Sequence, residues 1–113
     1  MTRIVYTANF GGYDVTPVLP HRYCEDWKAL YFTDRPESVP DGWELAVYDT
    51  NGTKGVHPAM RAKILKTDPW ICLPDGWDTA LWLDSNIELH QRCQQIAMRW
   101  TDDFCTFSQD ALA

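Results

Sequence analysis

Four short apolar runs, Ile4–Phe10, Ala29–Phe32, Trp43–Tyr48 and Ala80–Leu83, constrain this chain more than any other feature, because each has strand length and each is closely followed by an aspartate. Within the runs, apolar residues stand on consecutive positions, as in Leu81-Trp82-Leu83, instead of alternating with polar ones. Strands of that kind bury both faces, which is the habit of central strands in a parallel sheet covered by helices. The chain therefore reads as a layered α/β fold with a mostly parallel sheet and flanking helices. Its 113 residues suffice for one core, hence a single domain over 1–113.

Two helices fit between and after these strands. His57-Pro58 opens the first, with proline at the tolerated first position, and Asp68-Pro69 ends it after Thr67. The second runs from about Leu89 to Trp100: Leu89, Cys93, Ile96, Ala97 and Trp100 recur at helical spacing, while Gln91, Arg92, Gln94, Gln95 and Arg99 face away. A last strand, Phe104–Phe107, follows, and no linker or low-complexity tract divides the chain.

Charge narrows the partners. Ten Lys plus Arg against sixteen Asp plus Glu give a formal net charge of −6, which disfavours nucleic acid and anionic bilayers. No apolar run approaches the roughly 20 residues of a membrane helix, and Met1-Thr2-Arg3 leads straight into a strand, so neither a membrane span nor a signal peptide is expected and a cytoplasmic setting is. Cys24, Cys72, Cys93 and Cys105 form no CxxC pair and have no histidine at zinc-finger spacing. They read as free, mostly buried thiols in a reducing compartment, the alternative being two disulfides in a secreted chain.

The aspartates after the runs are Asp14, Asp34, Asp49 and Asp84. On parallel strands they line the carboxyl edge of the sheet, where α/β folds bind ligands in the crevice between strand-end loops. Each could instead start a turn or cap a helix. Converging carboxylates repel one another unless a cation lies among them, which invites a hard divalent metal, Mg²⁺ or Mn²⁺. Opposite them stands a basic island: Thr50 to Thr67 contains no acidic residue, while Lys54, Arg61, Lys63 and Lys66 supply positive charge suited to a phosphate or diphosphate.

On the first helix Met60, Ile64 and Leu65 mark the expected inward arc, with Arg61 inside it and Lys63 and Lys66 outside. An inward Arg61 must meet a carboxylate or a ligand oxygen. Gly11-Gly12 would let a flat ligand lie against the loop after the first strand, but it is not a GxGxxG fingerprint. His21, His57 and His90 are far apart and read as surface or capping residues.

Taken together, Ile4 to Asp14 (IVYTANFGGYD), Tyr31-Phe32-Thr33-Asp34, Arg61 to Lys66 (RAKILK) and Leu81 to Asn86 (LWLDSN) resemble nucleotide-sugar glycosyltransferases of the GT-A fold. The likeness covers residues 3 to 89 with the motifs in the same order, and is greatest to a glycosyltransferase-like branch carrying YTA-F-GGYD, FTD, R-AK--K and WLD-x-N. It implies that Ala8, Phe10, Gly11, Gly12 and Tyr13, together with Asp34, cradle the base and ribose of a nucleoside diphosphate sugar, and that Arg61 and Lys63 approach the base or diphosphate. It also implies that Asp84-Ser85-Asn86 takes the place of a DxD motif, with Asp84 and Asn86 toward Mn²⁺ or Mg²⁺ and Asp84 and Arg61 as catalytic groups.

In such enzymes the acceptor site follows the donor site, whereas only Asp102 to Ala113 remain after the second expected helix. The resemblance then implies that a homo-oligomeric neighbour or a partner chain completes the site for an unknown acceptor. The expected function is metal-dependent sugar transfer or slow hydrolysis from a UDP-sugar. The alternatives are a non-catalytic nucleotide-binding or interaction module that keeps only the donor half, and a phosphoryl hydrolase, which would want a DxD that Asn9-Phe10-Gly11 does not supply.

Overall fold

The structure, a computed structural model, describes residues 2–12, 14–47 and 57–98, and the backbone of 104–108. Tyr13, Asp49, Lys54 and Trp100, the end of the third run at Tyr48, and the Cys105 side chain lie outside the described part.

Five strands form one sheet: β1 (Arg3–Asn9), β2 (Trp27–Thr33), β3 (Glu44–Ala46), β4 (Thr79–Leu83) and β5 (Phe104–Ser108). Their spatial order is β3-β2-β1-β4-β5. The first four are mutually parallel and β5 runs antiparallel to β4. Helix α1 (Pro58–Thr67) lies between β3 and β4 in the chain, and α2 (Cys93–Ala97) between β4 and β5.

Consecutive apolar residues do bury both faces of the central strands. Ile4, Tyr6 and Ala8 of β1, Leu30 and Phe32 of β2, and Ala80 and Trp82 of β4 join one cluster with Leu65 of α1 and Trp77. Val5, Ala29, Leu81 and Leu83 face the other way and pack with Leu89, Cys93 and Ile96. Register makes this alternation coherent, since Val5 lies beside both Ala29 and Leu81, and Tyr6 beside both Leu30 and Trp82. The Tyr6 ring meets Trp82 edge-on at 5.1 Å, and its hydroxyl donates to the Leu65 carbonyl at 3.0 Å. That bond satisfies one of the orphan carbonyls in the last turn of α1 and ties the helix end to the central strand.

Three expectations need correction. The third run yields only the three residues of β3, with Leu45 41% exposed. β3 pairs with β2 alone among the described strands, which makes it an edge strand, and with Glu44 and Leu45 exposed it lacks the two covered faces of a central strand. The second helix is shorter than expected, because the Gln95 side chain accepts a bond from the Arg92 amide (3.1 Å) and starts the helix at Cys93. Leu89 is buried all the same, from a non-helical segment.

The third correction concerns the rotation of α1. Its start is as expected, with the His57 Nδ1 accepting from the Ala59 amide (3.1 Å) and Pro58 in the first turn. However, Met60 is 51% exposed, and the inward side is centred on Pro58, Ala62 and Leu65. At about 100° per residue these three fall within about 60° of one another, which leaves Arg61 on one flank and Lys66 on the other.

Candidate functional site

The chain passes from β1 to β2 to β3 in one direction and then returns, through α1, to place β4 on the other side of β1. The carboxyl ends of β1 and β4 therefore flank a topological switch point, the place where connections diverge and leave a crevice. A cavity of about 310 Å³ occupies this place. Ala8, Asn9 and Phe10 line it from β1 and its following loop, Trp82 and Asp84 to Asn86 from β4, and α1 supplies Pro58, Ala59, Ala62, Lys63 and Lys66.

The β1 loop is held by a side chain that the sequence did not single out. Asn9, 6% exposed, donates through Nδ2 to the Asp14 carbonyl (2.7 Å) and to the Tyr31 hydroxyl (3.1 Å), and its Oδ1 accepts from the Asp14 amide (3.2 Å). The folded-back loop brings the Asp14 carboxylate to the Ser85 hydroxyl, which donates to it. A strand-end amide followed at five residues by an aspartate was the available signal, hidden because asparagine is equally common in ordinary turns.

Asp84 accepts from the Trp82 indole N–H at 2.8 Å and lies 3.7 Å from the Lys66 ammonium. Lys66 therefore points into the cleft, although the expected rotation of the helix puts it outside the inward arc. Lys63 also lines the cavity and is exposed. Asn86 lines the opposite wall next to Asp84 and is exposed as well.

Arg61, Asp34, Gly11 and Gly12 do not line the cavity and instead form a clamp beside it. The Arg61 guanidinium stacks 4.5 Å from the Phe10 ring centre and lies 3.6 Å from Asp34. Asp34 in turn accepts from the Gly11 amide at 2.9 Å. Both glycines have positive φ (69° and 66°), a conformation that residues with a Cβ rarely adopt, so the loop favours glycine at both positions to close this way. Thus the expected inward Arg61 has met a carboxylate. Of the expected nucleotide-contacting residues, Ala8, Phe10 and Lys63 line the cavity, Arg61 stacks on Phe10 and is held by Asp34, which also binds the Gly11 amide, and Gly12 lies outside the cavity lining.

The cavity offers hard oxygen donors, namely the Asp14 and Asp84 carboxylates, the Asn86 amide and the Ser85 hydroxyl. Among the described residues no three His, Cys, Asp or Glu side chains come together to hold a metal. The donor set fits Mg²⁺ or Mn²⁺ in the mode where one or two carboxylates are supplemented by ligand phosphates.

The fold is thus an open α/β sheet of four parallel strands edged by an antiparallel fifth, with a polar cleft at the point where the strand order reverses. Compared with protein-family models, curated proteins and solved structures, the chain matches none. Among the described residues, no helix is long and apolar enough to cross a membrane.

Proposed function

We propose that the switch-point cleft binds a nucleoside diphosphate sugar, a UDP-sugar foremost, and that the chain is a metal-dependent glycosyltransferase-like protein of the GT-A type that transfers or slowly hydrolyses a hexosyl group. The observation that carries this reading is the juxtaposition across one cavity of Asp84, Ser85 and Asn86 with Lys63 and Lys66. Such a pairing of oxygen donors and ammonium groups suits a diphosphate neutralised from both sides. Its volume, about 310 Å³, is at the small end of the roughly 300–1,000 Å³ typical of ligand cavities.

Lys63 and Lys66 would approach the diphosphate oxygens, and Asp84, freed from Lys66 as the ligand takes over that ammonium, would turn with Asn86 toward the cation. When bound, Mn²⁺ or Mg²⁺ supplies Lewis-acid stabilisation of charge on the leaving diphosphate. Arg61 acts as a positioning residue: stacked on Phe10 and paired with Asp34, it fixes the ring that closes the cavity beside Ala8. A cytoplasmic setting agrees with the free state of Cys24, Cys72 and Cys93.

The second reading, a nucleotide-binding module without catalysis, is favoured by the commitment of one Asp84 oxygen to both Trp82 and Lys66. Titration calorimetry with UDP, in Mn²⁺ and in EDTA, tests the shared part. Affinity should fall by at least about tenfold in EDTA, and Asp84→Asn should remove that difference, since tenfold corresponds to about 1.4 kcal/mol, within reach of one charged ligand contact. Equal affinity in both buffers defeats the metal-dependent enzyme and leaves the module, and no binding of UDP in either buffer defeats both readings. Release of UDP from UDP-glucose then separates the enzyme from the module.

A further inference from the structure

A second cavity, of about 210 Å³, opens at the amino edge of the sheet, where β1 and β2 begin. Arg3, Arg22 and Arg92 line it, together with Tyr23, Glu25 and Asp26. Three of the chain's six arginines thus meet at one depression in a protein whose net charge is −6. Gathering like charges costs energy unless something offsets it. Among the described residues, no carboxylate forms an ion pair with Arg22 or Arg92, although Glu25 and Asp26 share the cavity. Arg22 is nevertheless oriented, because its guanidinium lies 4.7 Å over the Tyr23 ring and donates to the Tyr23 hydroxyl at 3.3 Å.

We propose that this cavity binds a small phosphomonoester that also carries hydroxyl or ammonium donors. Guanidinium forks match phosphate oxygens in bidentate geometry, which accounts for arginine over lysine here. Ionised carboxylates accept hydrogen bonds and donate none, so Glu25 and Asp26 repel a bare anion and reward a ligand that turns donors toward them. The volume lies below the roughly 300 Å³ at which drug-sized ligands begin, and so selects a small molecule over a nucleotide. The place is also separate from the switch-point cleft: the seven residues of β1 put roughly 20 Å between the two ends of the sheet at about 3.3 Å per residue.

Side-chain NMR of the arginine Nε–H groups reads this directly, with inorganic phosphate, a hexose 6-phosphate and phosphoethanolamine as probes. The Arg22 and Arg92 signals should shift saturably with at least one of the two esters, at an affinity about tenfold or more above that for inorganic phosphate. The two esters distinguish hydroxyl from ammonium donors. Arg22→Gln and Arg92→Gln should each weaken ester binding by about tenfold, with Arg92→Lys intermediate because it keeps the charge and loses the fork. Glu25→Gln should narrow the preference for the ester over inorganic phosphate. Shifts that fail to saturate with either ester, equal affinity for inorganic phosphate and the esters, or ester affinity unchanged in folded Arg22→Gln and Arg92→Gln variants would each overturn the proposal.

Discussion

The two ends of the sheet hold charge in different ways. At the carboxyl edge charged side chains are already matched inside the protein: Asp34 with Arg61, Asp84 with Lys66 and the Trp82 indole, and Asp14 with Ser85. At the amino edge Arg22 and Arg92 share a cavity with Glu25 and Asp26 without pairing to them. The first arrangement spends internal contacts on shaping a cleft before any ligand arrives, so less ordering remains to be done on binding. It also obliges a ligand to compete for Lys66 and Asp84. The second leaves the Arg22 and Arg92 guanidinium groups outside any carboxylate pair among the described residues, and under the proposal above the carboxylates beside them would set the selectivity.

The largest expected effect breaks the carboxyl edge by undermining its helical wall. Leu65, 1% exposed, anchors α1 on the sheet, and Leu65→Ala should cost about 2–5 kcal/mol of stability through lost burial and a cavity. Urea denaturation measures the loss. At temperatures where the variant stays folded, ligand response should fall at Lys63 and Lys66 while the amino-edge arginines respond as before. Equal loss at both ends would show that the two edges are not independent.

Next in size is Asn9→Ala, which removes three hydrogen bonds at a buried position. It leaves the Asp14 amide and carbonyl without these partners, while the Tyr31 hydroxyl keeps its bond to Thr16, at about 1–3 kcal/mol. Unlike Leu65→Ala, it should also release Asp14 from Ser85, because the loop that presents Asp14 folds back through Asn9. Hydrogen exchange at the Asp14 amide, rising well beyond what the global destabilisation explains, would be the signature.

Arg61→Ala should have a smaller effect, about 1–2 kcal/mol, from loss of the stack on Phe10 and of a partly exposed ion pair with Asp34. If Arg61 positions Phe10, the variant binds UDP more weakly and Arg61→Lys, which keeps the charge but not the flat stacking surface, restores stability more than affinity. Affinity that is unchanged in Arg61→Ala confines the residue to stability.

How much of this was legible depends on what each residue type can say alone. Consecutive apolar residues in β1, β2 and β4 carry an unambiguous message, since only a doubly covered strand needs them. The His57-Pro58 and Asp68-Pro69 signals bound α1 because proline has few permitted positions. Large apolar residues point to the wrong rotation of α1. Its inward side uses the half-buried Pro58 and Ala62, whose small size permits close approach to the sheet, beside the buried Leu65, and Met60 is the large residue left outside. Moving the arc that way turns Lys66 toward Asp84, so one misassigned face hid one member of the site. Asn9 was illegible for a different reason, because its role arises from a loop returning to it, which no local pattern encodes.

The smallest expected effect tests the core beneath the amino edge. Cys93 follows Arg92, Cys24 precedes Glu25, and both thiols belong to one buried cluster. Burial, with Cys24 adding, pushes the Cys93 thiol up from 9.0 to about 12. Burial chiefly, with Glu25 adding, raises Cys24 as well. A thiol that ionises less readily in the folded chain than in the unfolded one favours folding fully below pH 9.0, and this contribution is lost as pH rises toward about 12, because the unfolded chain releases its proton first. The difference in unfolding free energy between wild type and Cys93→Ala, followed from pH 8 to about 9.5, should therefore shrink by somewhat under about 1 kcal/mol. Taking the difference cancels the pH dependence that the two proteins share. A gap that stays constant with pH would mean that the Cys93 thiolate is tolerated in the folded core, and that the amino edge lies over a wetter interior than its packing indicates.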